Sequence, residues 1–264
     1  MVQSRFSYFH FYLALPLRLK LPIITLILTL VQNPLVIAQG MPKSWQNRSY
    51  QPPVDLTAPE RRQEGGTRGP SSDCSAKNGQ SLTALVPGSK FGATEAAYPS
   101  FFVYIPALLT QVSPLPAEFI LKDFRGNEIY KANFNTSEMP GIVMINLPDQ
   151  AGLPALEVDQ DYQWSFSVSC QPDESSRSME VQGWVRRVKL DDALSDELSK
   201  APLQKQFEIY TKAGIWHDAL GTLVDLRRGD PFNIALLSEW QKLLNSAGLD
   251  ALTQESLLLS PKEL

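Results

Sequence analysis

The sequence predicts an all-β sandwich followed by a small α-helical C-terminal subdomain, so we expect the whole chain to be α+β. Short apolar or alternating segments, separated by turn residues, recur between residues 81 and 189 at the spacing typical of a sandwich. Beyond residue 189 the apolar spacing becomes helical. We therefore expect four parts: a signal peptide at 1–38, a Pro/Gly-rich linker at 39–72, the sandwich at 73–190 and the helices at 191–264.

Residues 1–38 have the features of a secretory signal peptide. Arg18 and Lys20 precede an uncharged, mostly apolar stretch at residues 21–37, and small or tolerated side chains precede a cleavage site after Ala38. We expect an exported protein, periplasmic or extracellular, whose mature form does not span the membrane. An uncleaved membrane anchor is the alternative, although prolines and polar residues interrupt the apolar stretch.

The composition restricts the partners that the chain is expected to bind. The net charge is −4, and removal of the signal peptide would take away three basic residues and no acidic one. An acidic mature chain argues against nucleic acid or an anionic lipid surface as partner. A hydrophobic content of 43% is enough for a core.

The chain contains two cysteines, Cys74 and Cys170, and both lie in the exported part. In an oxidising compartment we expect them to form a disulfide, with two free thiols as the alternative. The wide spacing excludes a CxxC redox or zinc motif. Because Cys74 precedes the first predicted strand, the bond would fasten the incoming linker to the sandwich.

The linker contains a basic, glycine-rich patch. Its backbone could form a nest for an anion, with an arginine as bidentate partner. The sequence has no Gly-Lys-Ser/Thr here, so the patch is not a nucleotide P-loop. The alternative is a flexible linker. The candidate anion-binding residues are Arg61, Arg62, Gly65, Gly66, Arg68 and Gly69.

Seven strands are predicted within the sandwich. One hairpin turn is expected at 123–127, where Gly126 and Asn127 tolerate positive φ. The predicted strands are 81–86, 101–105, 118–123, 128–134, 142–147, 162–170 and 179–188.

The strand at 162–170 has the clearest alternation, because every second residue from Tyr162 to Cys170 is apolar or aromatic. The alternating residues before it are typical of a tyrosine corner, the loop clamp of immunoglobulin-like and fibronectin-like sandwiches. Tyr162 and Trp164 are therefore expected to be structural rather than catalytic.

A second aromatic strand lies between prolines, at residues 98–106. It suits the edge of a sheet, where it could stack on a sugar or pair with a partner strand. Filling of the core, by Phe102 and Tyr104 or by Phe101 and Val103, is the interpretation that we favour.

The C-terminal segment resembles one tetratricopeptide hairpin. Pro202 and Pro231 are placed to start helices. A single repeat cannot bury its own apolar faces, so we expect it to pack on the sandwich or on a partner. The matching residues are Tyr210, Gly214, Trp216, Ala219, Leu223, Leu226 and Pro231.

The residues give no catalytic or metal-binding constellation. His217 is the one histidine that remains after signal removal, and its neighbour Asp218 would point to a different side of a helix, which argues against a triad. We expect no cofactor and no transition metal. Paired carboxylates and an irregular calcium site stay open, but no motif nominates them.

Short landmarks along the chain resemble the exported cyanobacterial proteins grouped as domain of unknown function number nine hundred and twenty-eight. They include Gly65–Gly69, Cys74, Tyr162–Trp164, Cys170, Val181–Trp184 and Gly214–Leu220. The resemblance implies an extracytoplasmic location, strengthens the anion-nest interpretation and marks Trp184 and Trp216 as structural. It implies no activity.

Two functions are carried forward from the sequence. The first is a non-enzymatic binding or interaction module whose partner is another envelope protein or an extracellular polymer. The alternative is a hydrolase that acts on envelope polysaccharide or peptide through paired carboxylates.

Overall fold

The computed structural model describes residues 76–77, 79–108, 114–149, 152–170 and 178–258, and all of them belong to one unit, Gly40–Leu264. Strands form in the first part and helices in the second, so the α+β class is confirmed. The predicted signal peptide and linker lie outside the described residues.

The strands form two sheets. A five-stranded sheet has the order β2-β8-β7-β4-β5, and a three-stranded antiparallel sheet has the order β1-β3-β6. In the larger sheet β2 pairs with β8 in parallel and the other neighbours are antiparallel. The strands are β1 (Thr83–Ala84), β2 (Phe91–Thr94), β3 (Ser100–Ile105), β4 (Pro116–Asp123), β5 (Glu128–Asn135), β6 (Gly141–Asn146), β7 (Asp161–Ser169) and β8 (Ser178–Arg187).

Each of the seven predicted strands overlaps an observed strand, but β2 was not predicted. Phe91 lies opposite Trp184 and Thr94 opposite Arg187 in the parallel register with β8. All four residues of β2 are buried. A strand that is buried on both faces shows no alternation, and a glycine at its second position weakens the strand signal further.

The core between the two sheets contains the alternating residues of β7. Trp164 is fully buried, and its ring centroid lies 5.3 Å from that of Phe101 on β3. Gly183 on β8 lies directly opposite Trp164. A Cβ at Gly183 would come within 2.8 Å of the indole, so only glycine leaves room for that ring.

The aromatic strand β3 is the central strand of its sheet, so the expectation of a sheet edge was wrong. Phe101 and Val103 face the core between the sheets. Phe102 and Tyr104 face the opposite way, into a second core that the helices cover. Both alternating sets of side chains therefore fill cores, and the strand offers no stacking surface.

Four helices follow the strands: α1 (Asp192–Lys200), α2 (Leu203–Ala213), α3 (Trp216–Gly229) and α4 (Ile234–Ser246). Pro202 is the N-cap of α2, as expected, whereas α4 begins after the N-cap Asn233 rather than at Pro231. No helix in the described part of the chain is long and apolar enough to cross a membrane.

Helix α3 packs directly on the smaller sheet. Trp216 is fully buried, and its Nε1 donates to the carbonyl oxygen of Leu85 over 2.9 Å. Gly214 adopts φ 72° at the end of α2, which allows the chain to turn sharply into α3. Ala219 and Leu223 are also fully buried in the same core. The core that holds the helices therefore crosses the boundary expected after residue 190.

After α4 the chain returns to the smaller sheet. The backbone N–H of Ile142 donates to the carbonyl oxygen of Ser256 over 2.8 Å, and that of Leu258 donates to the carbonyl oxygen of Ile142 over 2.8 Å. Leu257 thus forms a parallel bridge with Ile142. These bonds fasten the C-terminal end of the helical segment to β6.

Candidate functional site

A cleft of about 220 Å³ lies where the crossing from β2 to β3 meets helices α2 and α3. The parallel pairing of β2 with β8 brings Thr94 to this junction, and the first turn of α3 brings Asp218. The lining residues are Thr94, Ala96, Tyr98, Pro99, Ser100, Leu203, Gln206, Tyr210, His217, Asp218, Gly221, Thr222 and Asp225.

Asp218 is a carboxylate at the junction of sheet and helix. Its Oδ2 accepts hydrogen bonds from Thr94 Oγ1 at 2.7 Å and from the backbone N–H of Glu95 at 3.1 Å. Burial raises the pKa of Asp218 to about 6, although the bond from Thr94 acts in the opposite direction. The carboxyl group therefore titrates far closer to neutrality than an exposed aspartate.

Glu95 contacts both Asp218 and Tyr210: its backbone N–H donates to Asp218, and its side chain accepts from Tyr210. The Tyr210 hydroxyl donates to Glu95 Oε2 over 3.3 Å. Burial raises the pKa of Tyr210, and the negative charges of Asp218 and Glu95 raise it further. The phenol therefore keeps its proton and serves as a donor. Among the described residues no lysine or arginine forms an ion pair with Glu95, Asp218 or Asp225.

His217 supports the floor of the cleft rather than acting in it. The ring is 2% exposed, and Nδ1 lies 3.1 Å from the carbonyl oxygen of Ser100. Burial lowers the pKa of His217 to about 4, so the ring is neutral at physiological pH. Nε2 lies against Gly92, where an added Cβ would be 2.7 Å away.

The arrangement around His217 contains no nucleophile–histidine–acid triad. The imidazole bonds a backbone carbonyl rather than a side-chain hydroxyl or thiol, and Nε2 has no hydrogen-bond partner among the described residues. Nor do any three His, Cys, Asp or Glu side chains in the described ranges come close enough to hold a metal ion.

The four structural residues expected from the sequence do not line the cleft. Tyr162 accepts a hydrogen bond from the backbone N–H of Glu157 over 2.9 Å. Trp164 lies in the core between the sheets, and Trp184 packs beside Phe91. Trp216, which is adjacent to His217, anchors α3 beneath the cleft.

Several candidate site residues fall outside the described part of the chain. Cys170 is 2% exposed, and no described cysteine is a free thiol. Because Cys74 lies outside the described residues, the pairing of Cys170 with Cys74 stays a prediction. The residues outside the described ranges are Cys74 and the candidate anion-binding set Arg61, Arg62, Gly65, Gly66, Arg68 and Gly69.

Sequence reasoning did not find the cleft. Asp218 was considered only as the neighbour of His217, and Tyr210 only as a packing residue. Thr94 and Glu95 lie in and after the unpredicted strand β2, so nothing in the local pattern marked them. One signal could have been used. Asp218 lies in the first turn of α3 among apolar and aromatic residues, where a charged side chain is costly to bury.

Fold and cleft together define an α+β domain in which helices cover the outer face of one of two sheets, and a carboxylate-lined cleft opens where sheet and helices meet. The chain belongs to the family described as Domain of Unknown Function (DUF928), whose model matches residues 63–257. This match confirms the family expected from the sequence landmarks. A search of curated proteins finds no match.

Proposed function

We propose that the protein is an exported, non-enzymatic binding module and that the cleft binds part of another envelope protein or an extracellular polymer. The observation that carries the proposal is the placement of Asp218. Thr94 and Glu95 fix one oxygen of its carboxylate, and the Asp218 side chain lines the cleft. A carboxylate held in this way by the scaffold is prepared to accept hydrogen bonds from a ligand.

The proposal also includes two finer features of the fold, a corner at Tyr162 and a hairpin formed by α2 and α3. The bond between Tyr162 and the backbone of Glu157 favours an immunoglobulin-like or fibronectin-like corner. The left-handed Gly214 and the buried Ala219 favour a tetratricopeptide-like hairpin. Cyanobacterial origin, cleavage after Ala38 and an anion nest at Arg68 are carried from the sequence alone.

Cosedimentation with isolated, insoluble envelope material tests the binding function. We expect the purified protein to sediment with that material and Asp218→Asn to do so more weakly. Asp192→Asn is the matched control, because Asp192 also lies in the first turn of a helix but its side chain is 96% exposed. Failure of the wild-type protein to sediment would reject the proposal.

A hydrolase acting on envelope polysaccharide or peptide is the second candidate, and one observation favours it. The negative charge of Glu95 acts on Asp218, so the two carboxyl groups lie near each other, and a pKa of about 6 suits Asp218 to the role of general acid. Glu95 would then be the base or nucleophile. If soluble fragments are not released from envelope material by the wild-type protein, this candidate fails.

The hydrolase would instead be favoured if the wild-type protein and Asp192→Asn release soluble fragments from envelope material and both Glu95→Gln and Asp218→Asn fail to do so. Both amide variants preserve the shape of the side chains and their ability to accept hydrogen bonds.

A further inference from the structure

The hydrogen-bond donors of the cleft are almost all occupied within the protein. Thr94 Oγ1 donates to Asp218, and the Tyr98 hydroxyl donates to the carbonyl oxygen of Leu153 over 3.1 Å. Tyr210 donates to Glu95. Thr222, which is buried, is the one lining hydroxyl in the described chain without a side-chain hydrogen bond. The cleft therefore has few free hydrogen-bond donors for a ligand whose polar groups are acceptors.

The N–H donors of the Gln206 amide and the His217 imidazole are also occupied within the protein. Gln206 Nε2 donates to the carbonyl oxygens of Leu198 and Ala201, at 3.2 and 3.0 Å. His217 Nδ1 is taken by the carbonyl oxygen of Ser100. No lysine or arginine lines the cleft. An anion would therefore meet no cation and almost no free donor in this part of the structure.

Some hydrogen-bond acceptors of the cleft, in contrast, have no donor within the described residues. Oε1 of Gln206 and the exposed carboxylate of Asp225 have no partner among the described residues, and the carboxylate of Asp218 lines the cleft beside them. A half-buried acceptor without a donor, such as Oε1 of Gln206, costs free energy that a suitable ligand recovers. The cleft is thus complementary to a group with several donors and no negative charge.

Apolar surface accompanies these acceptors. Tyr98 and Tyr210 line the cleft, and Leu203 beside them is 43% exposed. A combination of aromatic or aliphatic surface with convergent polar groups is typical of small-ligand sites. A volume of about 220 Å³ is small for such a site, so one compact group fills it.

We propose that the cleft binds one sugar unit of an envelope saccharide, that the unit carries free hydroxyl or amino donors, and that uronate and phosphate sugars are excluded. This inference rests on the proposed binding function and names its ligand class. The hydroxyls or the ammonium group of the sugar donate to Asp218, Asp225 and Gln206. Its apolar face lies on the side of the cleft formed by Tyr98, Tyr210 and Leu203.

Three oligosaccharides of equal length test the proposal by calorimetric titration at pH 7.5: oligomers of glucosamine, of N-acetylglucosamine and of galacturonic acid. We expect binding of the first two and none of the uronate. Glucosamine oligomers should bind more tightly, because each free amine donates hydrogen bonds and its protonated fraction is attracted to the unneutralised carboxylates. Asp218→Asn should weaken glucosamine binding at least tenfold, whereas Asp192→Asn should leave it unchanged.

Two results would overturn the inference. One is uronate binding as tight as glucosamine binding. The other is binding of none of the three oligosaccharides by a protein that still sediments with envelope material, in which case the binding function stands and the sugar assignment fails. Loss of sedimentation as well would reject the binding function itself. A cooperative melt and a wild-type circular-dichroism spectrum for Asp218→Asn at pH 7.5 establish that a loss of binding is not a loss of folding.

Discussion

Thr94 Oγ1 donates a hydrogen bond to Asp218 Oδ2 over 2.7 Å, although the two residues are 124 positions apart in the chain. This bond joins the end of β2 to the first turn of α3. Because the accepting group is a carboxylate in a partly dry environment, the bond both orients the helix and keeps Asp218 more acidic than burial alone would.

Thr94→Val removes this hydroxyl while keeping the shape of the side chain. We expect a loss of about 1.5–3 kcal/mol in the free energy of unfolding at pH 7.5, the range for a hydrogen bond to a charged group. Thr83→Val is the control, because the Thr83 hydroxyl bonds a carbonyl in an exposed setting. Urea titration measures both variants, and equal losses would contradict the role given to Thr94.

Gly92→Ala tests the close contact between β2 and His217. The added Cβ would lie 2.7 Å from Nε2, so the ring or the strand must move, at a cost of about 1–3 kcal/mol. Gly221→Ala, in the open on α3, should instead stabilise by about 0.5–1 kcal/mol through helix propensity. Thermal melts of both variants give the comparison, and a neutral Gly92→Ala would show that the contact is not tight.

The pH dependence of stability should separate Asp218 from His217. The folded pKa of His217 is about 4, against an ordinary value of 6.5 for histidine, so the unfolded chain binds the proton first. Stability from His217 is complete above pH 6.5 and falls by about 3 kcal/mol as the pH drops to 4. For Asp218 the folded pKa is raised from 3.8 to about 6, so the folded chain binds the proton first and stability rises as the pH drops through 6.

These opposite slopes partly cancel in the wild-type protein between pH 4 and 6. Asp218→Asn removes one of them, so its free energy of unfolding should fall more steeply with decreasing pH than that of the wild type or of Asp192→Asn. Urea titrations at four values of pH between 4 and 7 provide the measurement. Parallel curves for all three proteins would mean that Asp218 is not a titrating, buried group.

Two fully buried tryptophans differ in one hydrogen bond. Trp216 Nε1 donates to the carbonyl oxygen of buried Leu85, whereas Trp164 Nε1 has no partner among the described residues. Substitution by phenylalanine removes a similar volume in each case. We expect Trp216→Phe to cost about 1–3 kcal/mol more than Trp164→Phe, because it leaves a buried carbonyl unpaired. Equal losses in chemical denaturation would count against the hydrogen bond.

The expected disulfide has a direct chemical test. Peptide mapping of the unreduced protein should recover one linked peptide containing Cys74 and Cys170. Reduction should lower the melting temperature, since closing a loop of this length is worth about 4–5 kcal/mol in the chain-entropy model. Separate, alkylated peptides for Cys74 and Cys170 before reduction would contradict the bond.

Strands were predictable from the sequence where one face is buried and the other is not. In β7 the alternation runs from Tyr162 to Val168, and the structure buries each of those side chains. The burial of β2 on both faces removed that signal. In β3 the flanking prolines suited a sheet edge or a bulge, and a strand with apolar residues on both faces has no pattern that tells the centre of a sheet from its rim.

The chain by itself determined the local elements, because periodicity, turn residues and a left-handed glycine act over a few neighbouring residues. It also determined the family, through landmarks spread over the matched residues 63–257. Only the tertiary structure decided where the helices lie and that Thr94, Glu95, Tyr210 and Asp218 meet. Those contacts join residues more than a hundred positions apart, and their pKa shifts arise from burial, which no local pattern encodes.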